Sequence, residues 1–179
     1  MLLRRALRRL FAREGLRVNF TPATSSDTVI SAQVKGQYDI TGGNYVSYIQ
    51  AEAAHQANLD IFAEASVMEP GTQGIYVRLN SPVTLLADLK GKTVAINAPK
   101  NILYLLAASV LAEHVLSANS VTFVTNIPFP AMPAALKAGK IDAAVLPEPY
   151  ASVAEQAGGG RCWWRAIPCV PLTFRRSPA

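Results

Sequence analysis

The chain has 179 residues, half of them hydrophobic, enough for one good core or two small lobes. Its formal net charge of +5 sits at the ends: residues 1–17 hold six Arg against one Glu, and residues 161–179 hold four Arg and no acid. Residues 18–160 carry seven basic and eleven acidic side chains, which excludes the basic stripe a nucleic acid requires, and no apolar stretch is long and uncharged enough to span a bilayer.

At the start, Leu2, Leu3, Ala6, Leu7, Leu10 and Phe11 recur at helical spacing with Arg pairs between them. They predict a basic amphipathic helix packing its Leu face inward, capped at Gly15. A signal peptide would need an unbroken apolar run. Leu16–Phe20 alternates and predicts a strand. Thr21–Asp27 is a polar loop whose Ser and Asp suit the N-cap of a helix over about Thr28–Lys35, ended by Gly36. Tyr38–Thr41 predicts a short strand, Gly42-Gly43-Asn44 a tight turn, Tyr45–Ala57 a helix, Leu59–Val67 a buried strand and Met68–Thr72 a turn. Gly74–Arg78 is the next strand, followed by a break at Asn80-Ser81-Pro82.

Beyond the break come a short helix near Leu85–Leu89, a stop at Gly91, and a strand from Thr93 to Asn97. Asn101–Ser117 reads as a long apolar helix and Val121–Thr125 as a strand. Pro128, Pro130 and Pro133 lead into a helix ending at Ala138, and Ile141–Leu146 is the last clear strand. After Ala157 the periodicity stops, at Gly158-Gly159-Gly160 and an irregular Arg- and Pro-rich tail. Cys162 and Cys169 in that tail match no zinc or redox spacing. Helices and strands in alternation argue for an α/β fold with largely parallel sheets.

One unit occurs twice: Gly36-Gln37-Tyr38-Asp39-Ile40 and Gly139-Lys140-Ile141-Asp142-Ala143. Each reads as a capping Gly, two residues, an Asp and an apolar run that opens onto a polar turn. Such turns are where open α/β sheets take ligands. Three turns before helices offer unpaired N–H groups and a partial positive charge: Thr24-Ser25-Ser26, Gly42-Gly43-Asn44, and Asn97-Ala98-Pro99-Lys100-Asn101. A fourth, Pro147-Glu148-Pro149-Tyr150, aims a carboxylate from a rigid backbone. His55 and His114 fall within predicted helices and belong to no recognisable constellation. There is no nucleophile elbow, Walker loop or zinc-protease motif. The chemistry reads as that of a binder, not an enzyme.

With these residues in view, Phe11–Leu16, Gly36–Ile40, Leu86–Ala95, Met132–Ala143 and Leu146–Tyr150 together resemble the substrate-binding proteins of ABC importers. The branch is the one that captures sulfonates, taurine, nitrate and thiamine-precursor pyrimidines. The resemblance implies a two-lobe periplasmic-binding-protein type 2 architecture, here incomplete at both ends. It places lobe one at residues 1–79, completed by 148–157, lobe two at 80–147, and an irregular tail at 158–179. It implies a small polar or anionic ligand held between the lobes by Ser25, Ser26, Gly43, Asn44, Asn97, Ala98 and Glu148. It calls for no cofactor and no metal. The implied partner is an ABC permease, with no nucleic acid and only indirect contact with the membrane. The implied place of work is the periplasm or the extracytoplasmic face, though this start carries no clear signal peptide. Many sulfonate binders have a Gly-Ser type turn where this chain reads Ala98-Pro99-Lys100-Asn101. A same-fold biosynthetic enzyme of the thiamine-pyrimidine type, or a non-functional fragment of a binding protein, is the alternative.

Overall fold

Three short apolar runs, alternating in which face they present, build the centre of the molecule. The structure, a computed structural model, describes residues 10–64 and 72–157, and the backbone of residues 161–165. Strands β1 (Gln73–Val77), β2 (Thr93–Ala95), β3 (Thr122–Val124), β4 (Ala143–Pro147) and β5 (Arg161–Arg165) form one sheet in the order β3-β2-β4-β1-β5. Helices α1 (Ser26–Val34), α2 (Tyr45–Ala53), α3 (Ile102–Glu113), α4 (Met132–Lys137) and α5 (Tyr150–Gln156) accompany them, and residues 10–13 are helical as well.

Side chains alternate across a strand, so each central strand feeds two cores. Ile75 and Val77 of β1, Val94 and Ile96 on the β2 run, and Ala143 and Val145 of β4 meet Leu103, Ala107, Val110 and Leu111 of α3 on one face. Tyr76, Ala95, Ala144 and Leu146 take the other face, under Met132 and Leu136 of α4 and Ala151 and Ala154 of α5. The result is helix, sheet, helix. The α1–α2 pair has a small core of its own, Ile30, Tyr48 and Ala51.

Several expectations change. The sheet is mixed rather than largely parallel: β2 runs parallel to β3 and β4, but β1 runs antiparallel to β4 and β5. Periodicity identifies a strand without giving its direction. β1 pairs along its whole length with β4, from Gln73↔Pro147 to Val77↔Ala143. The tail is not wholly irregular, since residues 161–165 form β5 against β1. Residues 158–160 and 166–179, with Cys169, lie outside the described residues, as do residues 1–9 of the expected first helix.

The strands expected at 16–20, 38–41 and 59–67 do not form over residues 16–20, 38–41 and 59–64; 65–71 lie outside the described residues. A strand exists only through its ladder, and no described residue pairs with these segments. Their apolar side chains are correspondingly exposed, Ile40 at 67% and Phe62 at 74%. Two helices end early. The turn after α2 closes through His55, with φ 53°, and that after α3 through Val115, with φ 60°. In both, bonds from the next residue (Gln56 N–H to Ala51 O; Leu116 N–H to Leu111 O) complete a left-handed cap.

The two copies of the repeated unit share that cap. Gly36 (φ 71°) and Gly139 (φ 69°) each take the left-handed position. The bonds Gln37 N–H to Ala32 O and Lys140 N–H to Ala135 O match. The aspartates diverge. The Asp142 carboxylate accepts from Thr93 N–H (2.9 Å) and Thr93 Oγ1 (2.8 Å), pinning the entry to β4 onto β2. Burial pushes Asp142 up, but these two bonds, with Lys92 and Arg78 nearby, outweigh it and hold its carboxyl below the ordinary value.

Two outcomes follow from the caps and from Asp142. Val115 is 95% exposed and β-branched at positive φ, so Val115→Gly is expected to stabilise by about 1 kcal/mol, about 2–4 °C in melting temperature. Because the folded Asp142 carboxyl titrates below its unfolded value of 3.8, its contribution is present above that value and lost as pH falls through the folded one. Asp142→Asn is expected to cost about 1 kcal/mol at neutral pH and to flatten the acid limb of a urea-midpoint profile.

Candidate functional site

Helix N-termini need side-chain oxygens to satisfy their first N–H groups, and the residues at these turns serve that need first. Ser25 is the N-cap of α1: its Oγ accepts from Thr28 N–H at 3.4 Å and lies 2.6 Å from Thr28 Oγ1. Asn44 is the N-cap of α2, its Oδ1 accepting from Ser47 N–H at 3.0 Å. Asn101 is the N-cap of α3, its Oδ1 accepting from Tyr104 N–H at 3.1 Å.

The first two turns are joined. Ser26 Oγ accepts from Asn44 N–H (3.0 Å) and from Asn44 Nδ2 (2.8 Å). This brings the N-termini of α1 and α2 together, with their partial positive charges adding. Gly43 is what lets them close: a Cβ there would stand 2.6 Å from Ser26 Oγ and 2.8 Å from Tyr48 Cε2. At Gly42 a Cβ would meet nothing within 4 Å. The glycine pair expected to admit a ligand to the backbone thus contains one residue required by protein packing.

A hydroxyl has two lone pairs and one hydrogen. Both lone pairs of Ser26 Oγ are taken by Asn44, which leaves its O–H to donate, with no acceptor among the described residues. Asn97 is in a similar state. Its Oδ1 accepts from Asn101 Nδ2 at 2.6 Å, and its own Nδ2 has no acceptor among the described residues. Ala98 is buried and offers no exposed side chain. The third turn is linked to the first two through Gln50 of α2, whose Nε2 donates to Lys100 O at 3.0 Å.

Glu148 stands apart. Its carboxylate accepts from Ser152 N–H (3.2 Å) and Ser152 Oγ (2.9 and 3.0 Å), capping the first turn of α5, and the side chain is exposed. Among the described residues it makes no bond to the other three turns. The structure therefore gathers Ser25, Ser26, Gly43 and Asn44 into one corner. It ties Asn97 and Ala98 to that corner through Lys100, and sets Glu148 in a local cap.

Residue-by-residue reading missed three groups. Asn101, only 3% exposed, orients Asn97, and its N-cap position was the available signal. Gln73 carries a buried Oε1 with no hydrogen-bond partner among the described residues, beside Pro147 in the ladder. Thr41, Gln33 and Tyr48 form a polar chain under the Gly43 turn: Thr41 Oγ1 donates to Gln33 Oε1 (2.6 Å), so Tyr48 OH, 2.7 Å away, donates to Thr41. An open groove of about 610 Å³ lined by Gln33, Val34, Glu52, His55 and Leu59 lies at the other, C-terminal ends of α1 and α2. Helix dipoles there disfavour an anion. No group of three or more metal-binding side chains occurs among the described residues.

A family profile described as NMT1/THI5-like matches residues 8–155. Comparison with curated proteins finds no match. Among solved structures, the alkanesulfonate-binding protein SsuA from Xanthomonas axonopodis pv. citri, bound to MOPS, is similar at 24% identity and a TM-score of 0.70, covering 92% of this chain and 54% of its own. The periplasmic aliphatic sulphonate binding protein SsuA from Escherichia coli is similar at 22% identity and a TM-score of 0.66, covering 90% of this chain and 54% of its own. The periplasmic sulfonate-binding protein from Methylobacillus flagellatus KT, described as part of a sulfonate ABC transporter, follows at 20% identity and a TM-score of 0.56, covering 86% and 46%. The fold is thus the one shared by these binding proteins, and the chain spans about half their length.

Gly43→Ala is expected to cost about 1–3 kcal/mol by forcing Ser26 and Tyr48 apart, and Gly42→Ala to leave the urea midpoint unchanged.

Proposed function

Because the chain belongs to the NMT1/THI5-like family, we propose that it is the solute-binding component of an ABC-type importer, holding a small polar or anionic compound such as a sulfonate, nitrate or a pyrimidine. Ser25, Ser26, Gly43, Asn44, Asn97, Ala98 and Glu148 are the proposed ligand contacts, with the donors at Ser26 and Asn97 leading. The ligand would lie between a lobe built on α1 and α2 and a second built on the sheet. It would be bound and released unchanged, without cofactor, and passed to a permease at the extracytoplasmic face of the membrane. No helix of the described residues is long and apolar enough to cross a membrane.

The observation that carries this reading is the state of Ser26. Where two helix N-termini meet, its lone pairs are spent on Asn44 and its hydrogen is left over. The other groups left over nearby are also donors: the Asn97 amide and the first-turn N–H groups of α1 and α2. Unspent donors at helix starts favour a ligand rich in acceptors, which is the chemistry of a sulfonate or nitrate. The fold shared with sulfonate-binding proteins supports the same reading.

Calorimetric titration with taurine, MOPS and nitrate tests it. Binding by at least one oxyanion is expected, and Ser26→Ala should weaken it about tenfold or more, the value of a hydrogen bond to a charged group. Equal affinity in the variant would remove Ser26 from the site.

A further inference from the structure

Gln50 makes a contact that neither capping nor packing requires. It lies on α2, exposed, and its Nε2 donates to the carbonyl of Lys100, fifty positions along the chain, at 3.0 Å. Lys100 holds the left-handed conformation, φ 55°, immediately before the N-cap of α3. The same helix that carries Gln50 begins at Asn44, the partner of Ser26. The same turn that carries Lys100 begins at Asn97, held by Asn101. One side-chain amide therefore links the element behind one set of donors to the turn behind the other.

We propose that Gln50 is a positioning residue, a latch from α2 to the Lys100 carbonyl that sets the spacing between the Ser26–Asn44 corner and the Asn97 turn. The proposal rests on reading those two places as parts of one ligand site, and it adds to that reading a residue that never touches the ligand. Its side chain is exposed and buries no core atom, so removing it alters spacing without opening a cavity. The acceptor is a main-chain oxygen, so the latch is not duplicated by any change at the Lys100 side chain.

Amide hydrogen exchange on the ligand-free full chain reads the latch without needing a ligand. Gln50→Ala is expected to raise exchange about fivefold in residues 45–53 and 97–104, the effect of one hydrogen bond on a local opening, and to leave β1 and β4 unchanged. Gln50→Arg keeps a donor of similar reach and should restore most of the protection. Unchanged exchange in either segment of the Ala variant, or equal acceleration in β1 and β4, would overturn the proposal; so would an Arg variant as fast as the Ala variant. Titration with MOPS and taurine separates the two readings. Failure of the wild-type chain to bind either counts against the ligand site, while the exchange pattern still decides the latch.

Discussion

The sheet depends on β4. Its run Ala143-Ala144-Val145-Leu146 is buried on both faces, with β2 parallel on one side and β1 antiparallel on the other. Two of the four are alanines, which lets α3 approach one face while α4 and α5 approach the other. A strand so apolar needs its register fixed by something polar, because a slip of one residue would exchange its two faces. Asp142 does this at the strand's first step, by bonding both the N–H and the hydroxyl of Thr93. The reverse bond, Asp142 N–H to Thr93 Oγ1 at 3.0 Å, closes the clasp.

The same economy governs the turns. Most polar atoms at the three helix starts are engaged in capping, so a ligand there would meet only what capping leaves over. At Ser26 and Asn97 the remainder is donor hydrogens, and the charge of the helix ends has the matching sign. Glu148 differs because α5 needs a cap and the carboxylate supplies it. Capping and ligand binding draw on the same residue types, which is why a list of Ser and Asn before helices does not by itself separate the two roles.

Much of the sheet was legible. β2 and β3 lie wholly within the strand runs expected there, β1 and β4 exceed theirs by one residue each (Gln73 and Pro147), and Gly36 and Gly139 marked left-handed caps correctly. What failed was whatever depends on partners. The direction of β1 is set by contact with β4, 74 places away at Gln73↔Pro147, and no local pattern encodes it. The strands expected at Leu16–Phe20 and Tyr38–Thr41 have the right composition and no ladder. α2 ends at Ala53 and α3 at Glu113 because His55 and Val115 occupy a conformation that their side chains do not advertise. At the site, the turns were visible from Ser, Gly and Asn ahead of helices. The Ser26–Asn44 bond was not, since it joins residues eighteen apart whose meeting depends on a missing Cβ at Gly43.

Gln33 shows how a segment without a ladder is still held. Its Nε2 donates to the main-chain oxygen of Asp39 at 3.2 Å, and its Oε1 accepts from Thr41 Oγ1. A carboxamide carries both a donor and an acceptor, and here it offers them to residues two apart on one segment. One bond reaches the main chain and the other a side-chain hydroxyl, so a single carboxamide ties residues 39–41 to helix α1 where no sheet does.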